Sequence, residues 1–245
     1  MNNRIIRLLI ALVVSAIFMM FLVMVTPTEN VPRLLVMLGG TMPEGLIQGA
    51  TYFLFIFGML EVMAVLGRIS DEHLALEQHF LPEKENWLLD AEDVNELKLR
   101  LQKIEHSHKY LVTDLIVKAC TKYRLSKSSG EVISLVDAQI RIYNEKFDSE
   151  QSFISYVAWA VPSVGFIGTV LGIAASLGYA HEASTPEGLE KVTSMLAVAF
   201  DTTLIALVLS IFLMLAIHYL QKQQASLLTT LNSYIIENLI NRFYK

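Results

Sequence analysis

Four apolar runs of the sequence are each long enough to cross a bilayer as a helix, and they constrain the fold more than any other feature. A membrane-spanning helix needs about 20 consecutive, mostly apolar residues. The runs cover residues 5–25, 46–66, 153–180 and 195–220. Their number and length predict an all-α integral membrane protein with four transmembrane helices, because helices satisfy their own backbone polar groups within lipid.

Arg4 directly precedes the first run and Arg7 lies in its first turn, much as basic residues flank the start of the apolar part of a signal peptide. That part of a signal peptide is roughly 7–15 residues long, and the run here is longer. We therefore predict a retained helix. A shorter apolar segment, residues 33–40, cannot span a bilayer and is predicted to form a short helix at the outer interface.

Charged residues are concentrated between the second and third runs, although 53% of the chain is hydrophobic and its mean hydropathy is +0.47. This asymmetry predicts two membrane blocks around one soluble insert with apolar residues at helical spacing. The predicted parts are residues 1–67 with transmembrane helices 1 and 2 and a short outer loop, 68–150 as a helical cytoplasmic insert, 151–221 with transmembrane helices 3 and 4, and 222–245 as a cytoplasmic C-terminal helix.

The sides of the membrane are predicted from basic residues, which are enriched in cytoplasmic segments. Arg4 and Arg7 lie at the start of the first run, Arg68 follows the second, and Lys222 follows the fourth. We therefore expect a multi-pass protein with both termini and the insert in the cytoplasm.

Two helices are predicted to continue beyond the membrane. Ser128 and Glu131 have the spacing of a capping box, and neither Pro nor Gly occurs from 131 to 161. The spacing predicts a helix that runs unbroken from the insert into the third run. Residues 227–240 keep helical spacing after the fourth run, so the tail either continues that helix or folds back beside the insert.

Several function classes are disfavoured. The net charge of −5 argues against nucleic-acid binding, which needs excess Lys and Arg. A lone cysteine, Cys120, excludes an intrachain disulfide and a common zinc site. The runs show neither catalytic nor metal-ligand spacing, so we predict no enzyme activity, cofactor or metal. A secondary transporter remains an alternative, although internal repeats and broken helices are not evident.

Small and hydroxyl-bearing residues form one stripe on each of the last two runs. The stripes, at spacings of i, i+4, i+7 and i+11, are Gly165, Thr169, Gly172 and Ser176, and Ala199, Thr203, Ala206 and Ser210. Such stripes allow close helix packing. They could also line an ion path, because a hydroxyl both donates and accepts hydrogen bonds.

Three ionisable residues lie within the runs. Asp201 is an intramembrane carboxylate toward the outer end, with either a structural or hydration role or a role in proton relay. Glu61 and His218 lie near cytoplasmic ends and could form a structural pair with each other. Glu61 could alternatively pair with Arg68.

The segment 162–173 carries a proline, a glycine three residues later, and then Gly168-Thr169-Val170 followed by Gly172. It resembles the third-helix signature of the MotA/TolQ/ExbB proton-channel family, and 199–207 resembles the family's other signature. The resemblance implies that Thr169 and Thr203 are pore threonines and that Pro162 is a hinge. It also implies helix-packing roles for the small residues Gly165, Gly168, Gly172, Ala199 and Ala206.

The resemblance further implies an assembly and an activity. Family members form a homopentamer around a MotB/TolR/ExbD-like dimer, a single-span partner that carries an intramembrane aspartate. Such complexes reside in the bacterial inner membrane and convert the flow of H⁺, or of Na⁺ in some relatives, into mechanical work. The four runs resemble MotA, whereas the third-helix signature is closer to TolQ and ExbB, so the powered process stays open. A purely structural membrane scaffold is a further alternative.

Overall fold

The computed structural model describes residues 2–27, 31–43, 45–81, 88–105 and 109–243. The α-helices in these ranges are α1 (Asn2–Val25), α2 (Arg33–Met37), α3 (Leu46–Leu76), α4 (Ala91–Glu105), α5 (Leu111–Ser126), α6 (Ser129–Gly178) and α7 (Pro186–Asn238). Short 3₁₀ helices at Ala180–Glu182 and Ile240–Arg242 follow α6 and α7.

Four of these helices, α1, α3, α6 and α7, are long and apolar enough to cross a membrane. They contain the four apolar runs of the sequence. The predicted all-α membrane fold is therefore confirmed. The short helix predicted within 33–40 is also present, as α2.

The two longest helices extend well beyond a membrane thickness. α6 has 50 residues and α7 has 53, so the tail continues the fourth helix instead of folding back. Before α6, the Ser128 hydroxyl accepts a hydrogen bond from the Glu131 N–H at 3.5 Å. Before α7, Thr185 accepts one from the Gly188 N–H at 3.1 Å, and Pro186 occupies the first turn, where its missing N–H is not needed.

The described helices contribute to two compact units. The first unit comprises Met1–Ala64 and Ser152–Tyr219, and the second comprises Val65–Gln151 and Leu220–Lys245. The four-part division predicted from the charge pattern also assigns sides of a membrane, and it remains a prediction.

The first unit has apolar clusters in its interior and also exposes large apolar side chains on its surface. Its buried clusters are Met19, Leu22, Tyr52 and Ile205, and Ala11, Phe57 and Val157. Large hydrophobic residues such as Phe166 and Phe200 are exposed on its surface. A surface of this kind suits a helix bundle whose solvent is lipid.

The second unit has a buried core and a polar surface, as a soluble helical bundle does. Its core includes Leu101, Leu115, Ile116, Leu227 and Ile235. Cys120 is fully buried on α5, and burial raises the pKa of its thiol to about 12.

A polar contact joins α5 to α6 in the second unit. The Asp114 carboxylate accepts hydrogen bonds from Lys118 Nζ at 2.6 Å and from the Tyr143 hydroxyl at 2.5 Å. Partial burial alone would raise the pKa of Asp114, but these hydrogen bonds outweigh it and lower the pKa below 3.8.

Candidate ion-conducting site

The two small-residue stripes face each other across the α6–α7 interface. A Cβ atom added to Gly165 would overlap the Ala206 side chain, and one added to Gly172 would lie 2.6 Å from Ala199 Cβ. Such distances are too short for real carbon atoms, so only glycine allows this approach. The stripes thus pack the two helices closely within one copy of the chain, as small residues do in membranes.

The structure brings Thr169 and Thr203 together at this interface. Their hydroxyl oxygens are within hydrogen-bonding contact. The Thr169 hydroxyl can also donate to the Ala199 carbonyl at 3.0 Å, and the Thr203 hydroxyl to the Gly165 carbonyl at 3.2 Å. Each hydroxyl has one proton, so these bonds are alternatives, and the pair can exchange donor and acceptor roles. Both side chains are half-buried.

Thr202 also belongs to the interface, which the stripe spacing did not predict. Its side chain is 2% exposed, and its hydroxyl can donate to the carbonyls of Ala199 at 2.7 Å and Gly165 at 3.2 Å. Gly168 provides the space, since an added Cβ there would lie 2.5 Å from Thr202 Oγ1. In the sequence, Gly168 directly before Thr169 was the one indication that α6 leaves space for a second hydroxyl from α7.

The two serines of the stripes are placed differently from the threonines. Ser176 is buried, and its hydroxyl donates to the Val192 carbonyl of α7 at 3.1 Å. Ser210 donates to the Leu207 carbonyl of its own helix at 2.8 Å. Ser176 therefore bridges the two helices, whereas Ser210 bonds back to α7.

Pro162 lies inside α6. It has no N–H, so it removes one hydrogen bond from the helix at the turn that precedes the glycine stripe. Its predicted role as a hinge remains a prediction.

Asp201 is 4% exposed and forms a two-point ion pair with Arg33. Its carboxylate oxygens accept hydrogen bonds from Arg33 Nη1 at 2.5 Å and Nη2 at 2.8 Å. The sequence did not identify Arg33 as the partner. The sequence offered one indication, a basic residue in the connection between the first two spans, since a membrane carboxylate is usually paired.

Glu61 is also paired with arginine, and its predicted pair with His218 is wrong. Arg7 donates to Glu61 from Nε at 2.8 Å and from Nη2 at 3.1 Å, while His218 is exposed. The alternative partner, Arg68, pairs with Glu150 at 2.5 Å. The fork of Arg7 on α1 matches a carboxylate at two points, which an imidazole cannot do.

The fold and this site define a class: multi-pass α-helical membrane proteins with a hydroxyl-bearing helix pair. The profile of the MotA/TolQ/ExbB proton channel family matches residues 108–233, slightly more than half of the chain. The chain belongs to this family, which confirms the resemblance seen in its motifs and supports a proton-channel role. Comparisons with curated proteins and with solved structures give no match.

Proposed function

We propose that the chain is the proton-conducting subunit of an energy-transducing stator complex. The observation that carries this proposal is the contact between the Thr169 and Thr203 hydroxyls at the α6–α7 interface. Membership of a proton-channel family supports the proton as the ion.

The chemistry of the pair favours proton passage. Two hydroxyls beside the carbonyls of Gly165 and Ala199 offer both donors and acceptors to a hydrated proton. They replace part of the water that the ion loses on entering an apolar region, and so they lower the barrier to entry. Both threonines are only half-buried, so part of their surface is open to a neighbouring helix.

The protonation site is proposed to come from a partner. Within the described part of the first unit, the buried carboxylates of Asp201 and Glu61 are both paired with arginine. The hydrogen bonds of Thr169 and Thr203 involve backbone carbonyls and each other, and neither carboxylate takes part in them. A single-span, MotB/TolR/ExbD-like partner with an intramembrane aspartate would supply the missing carboxylate.

The proposed assembly is a homopentamer around two partner helices. The exposed apolar residues beside the threonine pair fit this arrangement, because they suit contact with other helices or with lipid. They include Phe166, Val170, Phe200, Leu204 and Leu207. One proton that crosses 100 mV releases about 2.3 kcal/mol, which is enough to bias two packings of a helix interface and so perform mechanical work.

We further propose an inner-membrane location with both termini in the cytoplasm. Basic residues at the predicted cytoplasmic ends support this orientation, with Arg4 and Arg7 at the start of the first span and Lys222 after the fourth.

Replacing the hydroxyls tests the proposal. Thr169→Val and Thr203→Val remove a hydroxyl at nearly constant volume. A hydrogen bond to a charged species is worth about 1.5–3 kcal/mol, so proton flux in cells that coexpress the partner should fall about tenfold or more. Thr→Ser at either position should retain most of the flux. Assembly should persist, since cross-helix bonds in membranes average only ~0.6 kcal/mol.

The matched control is Thr193→Val. Thr193 is exposed on α7, and its hydroxyl bonds back to the Leu189 and Glu190 carbonyls of that helix at 2.9 and 3.0 Å. Proton flux in the Thr193→Val variant should be normal. Normal flux in the Thr169→Val, Thr203→Val double variant would remove the pore assignment. Loss of assembly in these variants would instead favour a packing role.

A further inference from the structure

Gln48 is a buried amide on α3 in the first unit. Its side chain is 1% exposed, and neither Oε1 nor Nε2 has a hydrogen-bond partner among the residues that the structure describes. A buried polar group without a partner destabilises a fold, because it has lost its hydrogen bonds to solvent. Native proteins usually meet such a group with an ordered ligand, most often water.

The outer connection covers this amide. Gly39 has a φ of +90°, which favours glycine, and a Cβ added there would lie 3.0 Å from Gln48 Cβ. One turn along α3, the Tyr52 hydroxyl donates to the Leu38 carbonyl at 3.0 Å. The backbone at 38–39 therefore lies directly against the face of α3 that carries Gln48.

Two contacts fix the level of Gln48 relative to α7. Ile47 and Thr202 both lie beside Gly168, and Gly58 lies beside Leu213. The second pair is eleven residues further along each helix, so α3 and α7 run in the same direction in register. Gln48 and Asp201, which neighbour Ile47 and Thr202 in sequence, thus occupy the same layer.

This layer is polar, and residues of the connection between α1 and α3 contact both of its polar groups. Gly39 lies against Gln48, and Arg33 of the same outer connection pairs with Asp201. The layer therefore combines an amide with a guanidinium–carboxylate pair at the outer end of the first unit.

We propose that the Gln48 side chain binds a water molecule in this layer. A carboxamide offers two donors and an acceptor, and water can satisfy both kinds of group. A cation is a poorer fit, because the amide N–H groups repel it and Arg33 already neutralises Asp201. The site stands independently of whether the threonine pair conducts protons.

Gln48→Met tests the site, because methionine is similar in size and lacks strong hydrogen-bonding groups. A water-satisfied amide loses its bonds in this variant, so the Tm of the purified complex should fall by about 2–4 °C. An amide that lacks any partner gives the opposite result, since its removal is neutral or stabilising. The control is Gln151→Met, which removes an amide that is 6% exposed and accepts a hydrogen bond from Gln221 at 3.2 Å. Its Tm should also fall.

Two further measurements identify the ligand. A high-resolution map of the assembled complex should show a density peak about 2.7–3.2 Å from the Gln48 amide. The Tm should be the same in sodium and choline chloride. An unchanged or raised Tm for Gln48→Met, or a well-resolved site without density, overturns the proposal. Stabilisation that depends on sodium also overturns it and indicates a cation.

Discussion

Arg7 and Arg33 each hold a buried carboxylate through two nitrogen atoms. The pairs are Arg7–Glu61 on α1 and α3, and Arg33–Asp201 between α2 and α7. Planar guanidinium groups match carboxylates at two points, which fixes orientation as well as charge. These pairs therefore orient helices that are far apart in sequence, and they keep both acidic groups compensated.

Exchanging the charges of Arg33 and Asp201 tests whether Asp201 has a structural role or relays protons. Arg33→Ala should destabilise the protein because it leaves Asp201 buried and unpaired. The loss should be about 1–3 kcal/mol, below the usual 3–5 for a buried pair because the Arg33 side chain is 60% exposed. The Arg33→Asp, Asp201→Arg double variant should recover part of this stability and most of the proton flux. Thermal unfolding and flux measure the two effects.

Arg68→Ala is the control for that exchange. Arg68 pairs with Glu150 at an exposed position, so its loss should cost at most about 1 kcal/mol. Arginine does not release its proton in proteins. If the exchanged pair restored stability without flux, Asp201 would have to act as a relay.

The sequence predicted the positions and contacts of some site residues better than those of others. Helical spacing placed Thr169 and Thr203 on two stripes of small residues, and their contact with each other was found only in the structure. Arg33 and Asp201 are 168 residues apart, and Arg7 and Glu61 are 54 apart. No local pattern encodes such contacts. Thr202 was missed because a strict spacing rule admits only one of two adjacent threonines.

The α6–α7 helix pair depends on the absence of side chains at its closest approach. Gly165 and Gly172 admit Ala206 and Ala199, and this approach brings the carbonyl of Gly165 within reach of Thr202 and Thr203. Packing and hydroxyl placement therefore have the same origin.

Gly165→Ala should disturb both the packing of α6 against α7 and the placement of the threonine hydroxyls. The added methyl group overlaps Ala206, and overpacking of this kind costs about 1–3 kcal/mol. We expect a lower Tm and reduced flux. Gly67→Ala is the matched control, because an added Cβ on this exposed α3 glycine meets nothing within 4 Å. Alanine there should be neutral or stabilise the helix by about 0.5–1 kcal/mol. Equal stability of the two variants would contradict the close packing of α6 and α7.

The existence of the helices was more predictable than their ends. Hydropathy located four apolar runs, but α3 continues to Leu76 and α7 begins at Pro186. The additional turns contain charged residues such as Glu72 and Glu187. The length of an apolar run does not show that the helix continues through such residues. The caps at Ser128 and Thr185 mark helix starts through backbone hydrogen bonds rather than through hydrophobicity.

At the scale of the whole molecule, the first unit exposes far more apolar surface than a soluble protein tolerates. Large side chains such as Phe166, Phe200, Ile211 and Leu215 are more than half exposed. Lipid and neighbouring copies are the surroundings that this surface suits. The proposed ring places part of the surface between subunits and leaves the rest in lipid.

Purification in mild detergent should yield five copies of the chain with a single-span membrane partner. The partner should carry an aspartate within its span, because the threonine pair lacks a carboxylate of its own. Native mass spectrometry measures the stoichiometry directly. Only monomers or dimers in several detergents would contradict the ring, and a ring of five without a partner would favour a scaffold.

The burial of Cys120 gives the second unit a built-in chemical probe of opening. The chain has no other cysteine. Burial raises the pKa of this thiol to about 12, so it stays protonated at pH 7, and the folded core shields the sulfur from reagents. Alkylation therefore requires α5 to leave its packing. The alkylation rate of the unmodified sequence measures how often this region unfolds locally, and it can be compared between resting and energised membranes.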